Sequence, residues 1–160
     1  MGCDIHLIAQ RRLSPEDTAP VLAEAAGTYE DVEDDFFDCR SYALFGFLAG
    51  VRNYSAIEPI APPRGIPEDF HDETHEFREQ EGYAFYHDRS WLTLQELLDH
   101  DYAQVIEDRR VTIGGNGGCT SEPGGGKSMP LREFLGDWYF AELERMKEAG
   151  VDRIVFCFDN

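Results

Sequence analysis

Asp4 and His6 are the residues of this chain best placed to do chemistry together. They stand two positions apart in Cys3-Asp-Ile-His-Leu-Ile8, a stretch that reads as the first β-strand, at about residues 3–12. Successive strand side chains point to opposite faces, so Asp4 and His6 share one face while Cys3, Ile5, Leu7 and Ala9 share the other. Burying the apolar set leaves the carboxylate and the imidazole open to a ligand. A hard carboxylate oxygen and a neutral imidazole nitrogen on one side of a sheet suit a divalent cation. The plainer reading is a surface Asp and a hydrogen-bonded His, because two ligands alone do not define a metal site.

Two further residues extend the pair. His87 follows the aromatic run Tyr83-Ala-Phe-Tyr86, which reads as a strand, and precedes a helix start at Thr93. Asp159 stands at the carboxyl end of an apolar strand at 151–158, where open α/β sheets tend to place ligands; its alternative role is to cap a nearby helix. The expected catalytic residues are therefore Asp4, His6 and His87, and the expected metal ligands are Asp4, His6, His87 and Asp159. Arg40, Arg52 and Arg64 are the expected phosphate contacts, since a guanidinium offers a two-pronged donor; each is equally suited to pair with acidic side chains.

Other motifs carry less. His71 and His75 have the i, i+4 spacing of a helical metal pair, but Asp72 stands where the zincin pattern needs Glu, and the segment lies in an acidic run. Gly124-Gly-Gly-Lys-Ser128 lacks the first P-loop glycine, its place being taken by Ser121. The glycine-rich stretch at about 114–127 is expected to be a mobile loop beside a site or an insertion. Four cysteines, Cys3, Cys39, Cys119 and Cys157, show no closely spaced pair and are expected to be reduced and mostly buried. His100, near a helix end, is expected to face the C-terminal dipole.

Charge narrows the choice of partner. Thirty-two Asp and Glu against fourteen Lys and Arg leave a net charge of −18, which repels phosphate backbones, so direct nucleic-acid binding is not expected. A cation bridging carboxylate to phosphate would still admit a nucleotide. The acid gathers at Glu30–Asp38 and Glu68–Glu81, runs of the kind that form solvated loops. Three origins fit it: an acidic surface for a basic host protein, adaptation to high salt, or genome composition favouring Arg over Lys.

Several blocks together resemble a family of small phage and prophage proteins without a known activity. They are Met1-Gly-Cys-Asp-Ile-His, Arg40-Ser-Tyr-Ala-Leu-Phe, Val51-Arg-Asn, Pro63-Arg-Gly-Ile-Pro, Ser90-Trp-Leu-Thr-Leu-Gln-Glu-Leu and Ile154-Val-Phe-Cys-Phe-Asp-Asn. The resemblance implies a phage origin and a host-cytoplasmic location. It departs at His87-Asp-Arg-Ser, where the family pattern resembles His-Ser-His-Ser, so Arg89 replaces a second imidazole.

The elements that must position these residues are those of one α/β or α+β domain over 1–160. At 160 residues and 42% apolar, the chain is long enough for one sizeable core. The expected scaffold is a mixed sheet containing the first and last strands, a hairpin partner near 20–29 after a turn at Ser14–Asp17, and packing helices at 40–51 and 130–149. A capping box, Thr93-Leu-Gln-Glu96, starts a helix over 94–100, and Gly150 ends the last one. Residues 57–67 are a proline-rich connector and the acidic segment at about 67–82 is solvated. No apolar run long enough for a membrane span and no signal-peptide pattern is present, so a cytosolic protein is expected.

The leading functional expectation is a small metal-dependent hydrolase acting on a phosphorylated small molecule or nucleotide, with a metal-bound water as nucleophile. The alternative is a non-catalytic acidic protein that occupies a basic host protein. The enzyme requires a cleft where Asp4 and His6 meet His87 or an arginine; the acidic binder requires a single-signed surface without one.

Overall fold

A computed structural model of the chain describes residues 2–14, 29–70, 77, 86–113 and 118–159. In chain order these form β1 (Ile5–Arg12), β2 (Tyr29–Asp31), α1 (Tyr42–Ala49), β3 (His87–Thr93), α2 (Leu94–Asp99), β4 (Val105–Asp108), β5 (Arg110–Ile113), β6 (Gly118–Ser121), β7 (Lys127–Pro130), α3 (Leu131–Leu135), α4 (Asp137–Glu148) and β8 (Arg153–Phe158). The fold is α+β, built on an antiparallel sheet of order β2-β1-β8-β3. The turn expected at Ser14–Asp17 and the strand expected near 20–29 lie almost wholly outside the described residues; the strand that pairs back on β1 is β2.

Six consecutive residues of β8 are buried, because the strand is apolar on both faces and lies between β1 and β3. Ile154, Phe156 and Phe158 face the main core with Leu92, Ala9 and the helices. Val155 and Cys157 face a second cluster with Phe70 and Phe77, flanked by Ile8, Ile66, Tyr86 and Trp91. The helices bury their apolar residues on the first face. The second is covered instead by residues from the proline-rich connector and the acidic segment, whose Phe70 and Phe77 are buried and whose Asp69 accepts a 2.8 Å bond from buried Arg153.

Helix α1 is apolar all round and correspondingly buried from Ala43 to Ala49. Ser41 Oγ accepts from the Leu44 N–H at 3.3 Å at its start, and Gly50, at φ 74°, ends it in the left-handed region that glycine tolerates. The capping box at α2 forms as expected, with Thr93 and Glu96 satisfying each other's backbone donors. The single helix expected over 130–149 is two: Gly136, at φ 83° and ψ 163°, leaves helical space between α3 and α4. The break lets α3 bury Leu131, Phe134 and Leu135 while α4 buries Tyr139, Leu143 and Met146.

Within the glycine-rich stretch the described residues 118–121 and Lys127 belong to strands. β4 pairs with β7 and β5 with β6, the ladder being interrupted around Arg109 and Glu122–Gly126. A Cβ on Gly126 would collide with the Asp108 carbonyl, so the return strand passes there only as glycine. His100, expected near a helix end, is the C-cap residue of α2. Its ring packs 5.1 Å from Phe47 and 5.1 Å from Tyr102, and burial pushes its pKa down, favouring the neutral imidazole.

Two outcomes check this fold. Phe156→Ala should destabilise the chain by about 3–5 kcal/mol in chemical denaturation, through lost burial and a cavity; a loss below about 1 kcal/mol would mean β8 is not central. Glu96 is held at a pKa of about 2, against an ordinary 4.5, chiefly by its hydrogen bonds from Arg64. Because the folded pKa is depressed, this stabilisation is complete above about pH 4.5 and lost as pH falls through about 2. Glu96→Gln should therefore lower Tm at neutral pH, and the gap to the parent should close over that acid range; a pH-independent gap would contradict the assignment.

Candidate functional site

Asp4 and Asp159 meet at one end of the sheet. Asp4 immediately precedes β1, Asp159 immediately follows β8, and the antiparallel register of Ile5 with Phe158 sets them opposite each other. The Asp159 N–H donates to the Asp4 carbonyl at 3.1 Å, and the Asp4 N–H donates to Asp159 Oδ1 at 2.7 Å. The other carboxylate oxygen, Oδ2, lies 3.2 Å from His6 Nε2. Asp159 thus links a backbone clasp to an imidazole 153 positions earlier in the chain.

The strand parity expected of Asp4 and His6 holds. Ile5, Leu7 and Ala9 join the main core, whereas His6 stands edge-on to Tyr86 with ring centroids 5.0 Å apart. Arg40 approaches from the segment before α1, its Nε donating to Asp4 Oδ1 at 2.7 Å and its Nη2 to Oδ2. This forked bond holds the Asp4 carboxyl below its usual range. Asp4 and Arg40 are each about half exposed, so the pair is held weakly and can exchange partners. The carboxylate end of the site opens to solvent while Cys3 beneath it is buried, its thiol pKa pushed up by burial, with Arg52 close enough to oppose the shift.

Not every expected residue comes to this place. His87, expected to come near Asp4 and His6, is opposite Phe158, on the neighbouring row and the other face from His6. Its ring stacks on Phe158, which packs against Phe45 of α1. His87 Nδ1 is 2.7 Å from Asp88 Oδ2, and its Nε2 is buried with no hydrogen-bond partner among the described residues. Asp88 takes a φ of 50° at the register shift between His87 and Ser90. Arg64 is also excluded: it bonds Glu96 and lies 5.0 Å over the Trp91 ring, toward the opposite end of β3. Arg52 is partly buried and lies beside the Cys3 thiol. His71 and His75 lie outside the described residues.

Among the described residues no three His, Cys, Asp or Glu side chains are placed to hold a metal ion together. His6 and Asp159 are the pair that could share one, since 3.2 Å is a spacing two neighbouring ligands adopt around an ion with bonds of about 2.0–2.2 Å. Asp4 could join them on release from Arg40. Asp159, expected either as a ligand or as a helix cap, bonds no helix end; it contacts the Asp4 backbone and His6.

Beside His6 the sheet edge opens into a cleft of about 260 Å³ lined by Ile5, His6, Leu7, Asp35, Asp38 and Phe77, among others. Sequence reasoning missed Phe77 as a wall of this cleft. Its only signal was an apolar side chain, seven positions after Phe70, inside a run otherwise rich in acid.

Comparison of the chain with protein-family models, with curated proteins and with solved structures finds no match. No helix among the described residues is long and apolar enough to cross a membrane.

The ion pair at Asp4 can be checked directly. Replacing Arg40 with Met should raise the Asp4 titration midpoint toward that of an ordinary aspartate, as read from its side-chain carbonyl resonance. An unmoved midpoint would show that Arg40 does not hold the carboxylate in solution.

Proposed function

We propose that the chain is a small phage-derived, cytoplasmic hydrolase that acts on a phosphorylated small molecule or nucleotide with the help of a divalent ion, at the clasped ends of β1 and β8. The observation that carries this reading is the convergence of His6, Asp159, Asp4 and Arg40, two potential ligands beside an exchangeable carboxylate–guanidinium pair. Nothing in the packing of the apolar core requires such a group.

In this reading His6 Nε2 and Asp159 Oδ2 hold the ion, and Asp4 completes the set when Arg40 turns to the substrate. A divalent ion there supplies positive charge against the phosphate and lowers the pKa of a water molecule. Arg40 exchanges one anion for another: it leaves the Asp4 carboxylate and grips phosphate oxygens through the same planar fork. The exchange also explains how an acidic protein accepts an anionic substrate. The Asp4 and Asp159 carboxylates would be taken up by the ion while the freed guanidinium meets the phosphate. His87 is not needed at this centre.

Thermal melts with Mn²⁺, Mg²⁺ or Zn²⁺, with and without chelator, test the reading alongside hydrolysis of p-nitrophenyl phosphate. An ion that binds only the folded chain adds about 2.7 kcal/mol of stability at a hundredfold excess over Kd. His6→Ala and Asp159→Asn should abolish that gain and the hydrolysis. Arg40→Ala should keep the gain from the ion and raise KM. Melts indifferent to every ion, together with no hydrolysis, would overturn the proposal.

A further inference from the structure

Among the described residues, the edge of β1 that faces away from β8 is paired along only half its length. β2 pairs with Gln10, Arg11 and Arg12, and the Val32 N–H adds one bond to the Ala9 carbonyl at 2.8 Å. In an antiparallel ladder, alternate residues direct their N–H and C=O groups to alternate neighbours. Asp4 bonds toward β8 through the Asp159 N–H, and Ala9 bonds toward β2. Ile5 and Leu7 have the parity of Ala9, so their main-chain groups point to the open side. Among the described residues no strand pairs with them there.

The chain that could have continued β2 instead turns away after Val32. Phe36 and Phe37 are buried beneath α4, and Arg145 on that helix bonds Asp34 at 2.8 Å, drawing the segment off the sheet edge. A groove remains. It consists of the cleft at His6 and a second of about 430 Å³ lined by Leu7, Ile8, Ala9, Val32 and Asp31 to Asp35, and the two share Leu7, Ile8 and Asp35. Glu33, Asp35 and Asp38 are exposed along it, and among the described residues none of these side chains has a basic partner.

We infer that this groove takes an extended segment of a basic partner protein, which adds as a strand to Ile5–Leu7 and places Lys or Arg side chains against Glu33, Asp35 and Asp38. Main-chain hydrogen bonds would supply the affinity, and the acidic wall would supply the choice of partner. A second copy of this chain is a poor occupant. Pairing two β1 edges would bring the same acidic walls together in a molecule already carrying −18. The inference is independent of any hydrolysis at His6, because it rests on the main chain of β1 and the charge of residues 33–38.

The probe is an acetylated, amidated alternating Lys-Val octapeptide, compared with the same peptide N-methylated at alternate residues and with its Glu-Val counterpart. Fluorescence anisotropy should show binding of the basic peptide, at least tenfold weaker binding of the N-methylated form and none of the acidic one. The combined E33Q, D35N and D38N variant should bind at least tenfold less, and added salt should weaken the parent's binding. Amide exchange at Ile5 and Leu7, followed by NMR, should be fast in the free chain and slow in the complex. Equal binding of the N-methylated peptide would reduce the contact to diffuse attraction and overturn strand addition. Protection of these amides in the free chain, with a dimer in sedimentation, would show that a second copy fills the edge and overturn the basic partner.

Discussion

Strand β8 is threaded between two strands that precede it, and the geometry of the candidate site depends on that insertion. β8 contributes six buried residues and pairs on both sides, antiparallel to β1 along its whole length and to β3 across a register shift. Burying a large apolar side chain is worth about 1.5–3 kcal/mol, more than exposed ion pairs supply, so Phe156 and Phe158 position the strand and the polar groups follow. Asp159 reaches His6 because Phe158 lies opposite Ile5. A slip of one residue would move Asp159 to the other face and empty the site.

Electrostatics then operates on a frame that packing has already set. With more than two acids for each base, nearly every described arginine is committed: Arg11 to Glu30, Arg40 to Asp4, Arg64 to Glu96, Arg110 to Asp108, Arg145 to Asp34 and Glu142. These pairs differ in what lies beside them. Arg64 is also fixed over Trp91 and belongs to the helix cap at Thr93, whereas Arg40 holds a carboxylate at a solvent-facing corner next to an imidazole. Buried Arg153 is committed most firmly, between Gln10, Asp69 and the Tyr29 ring, and ties β1, β2 and β8 to the acidic segment at the end remote from the site.

How much of this was legible in the sequence follows from whether the information is local. Strand alternation placed His6 on the face away from the main core, the spacing Thr93 to Glu96 marked a helix start, and the double-sided apolar run at 151–158 marked a central strand. Each of these is set by neighbours within a few positions. The break at Gly136 was not legible, because glycine within a helical pattern is often tolerated and only the packing of α3 against α1 and β4 demands the turn. Phe70 and Phe77 were hidden by the acid around them, although two rings suffice to anchor an acidic segment on a sheet. For His87, the strand was expected but its register was not readable, and register decides the face. Arg40, Arg52 and Arg64 are indistinguishable as types; their places depend on contacts with Asp4, Cys3 and Glu96, the farthest nearly fifty positions away.

β8 is the innermost strand, and its insertion brings Asp159 beside Asp4 and His6. Native-state hydrogen exchange checks this placement: the amides of Ile154 to Phe158 should exchange only through global unfolding and be the slowest in the protein, with the Asp159 amide, bonded to the Asp4 carbonyl, markedly slower than an unbonded amide. Exchange of β8 at the rate of a frayed terminus, while β1 and β3 stay protected, would contradict it.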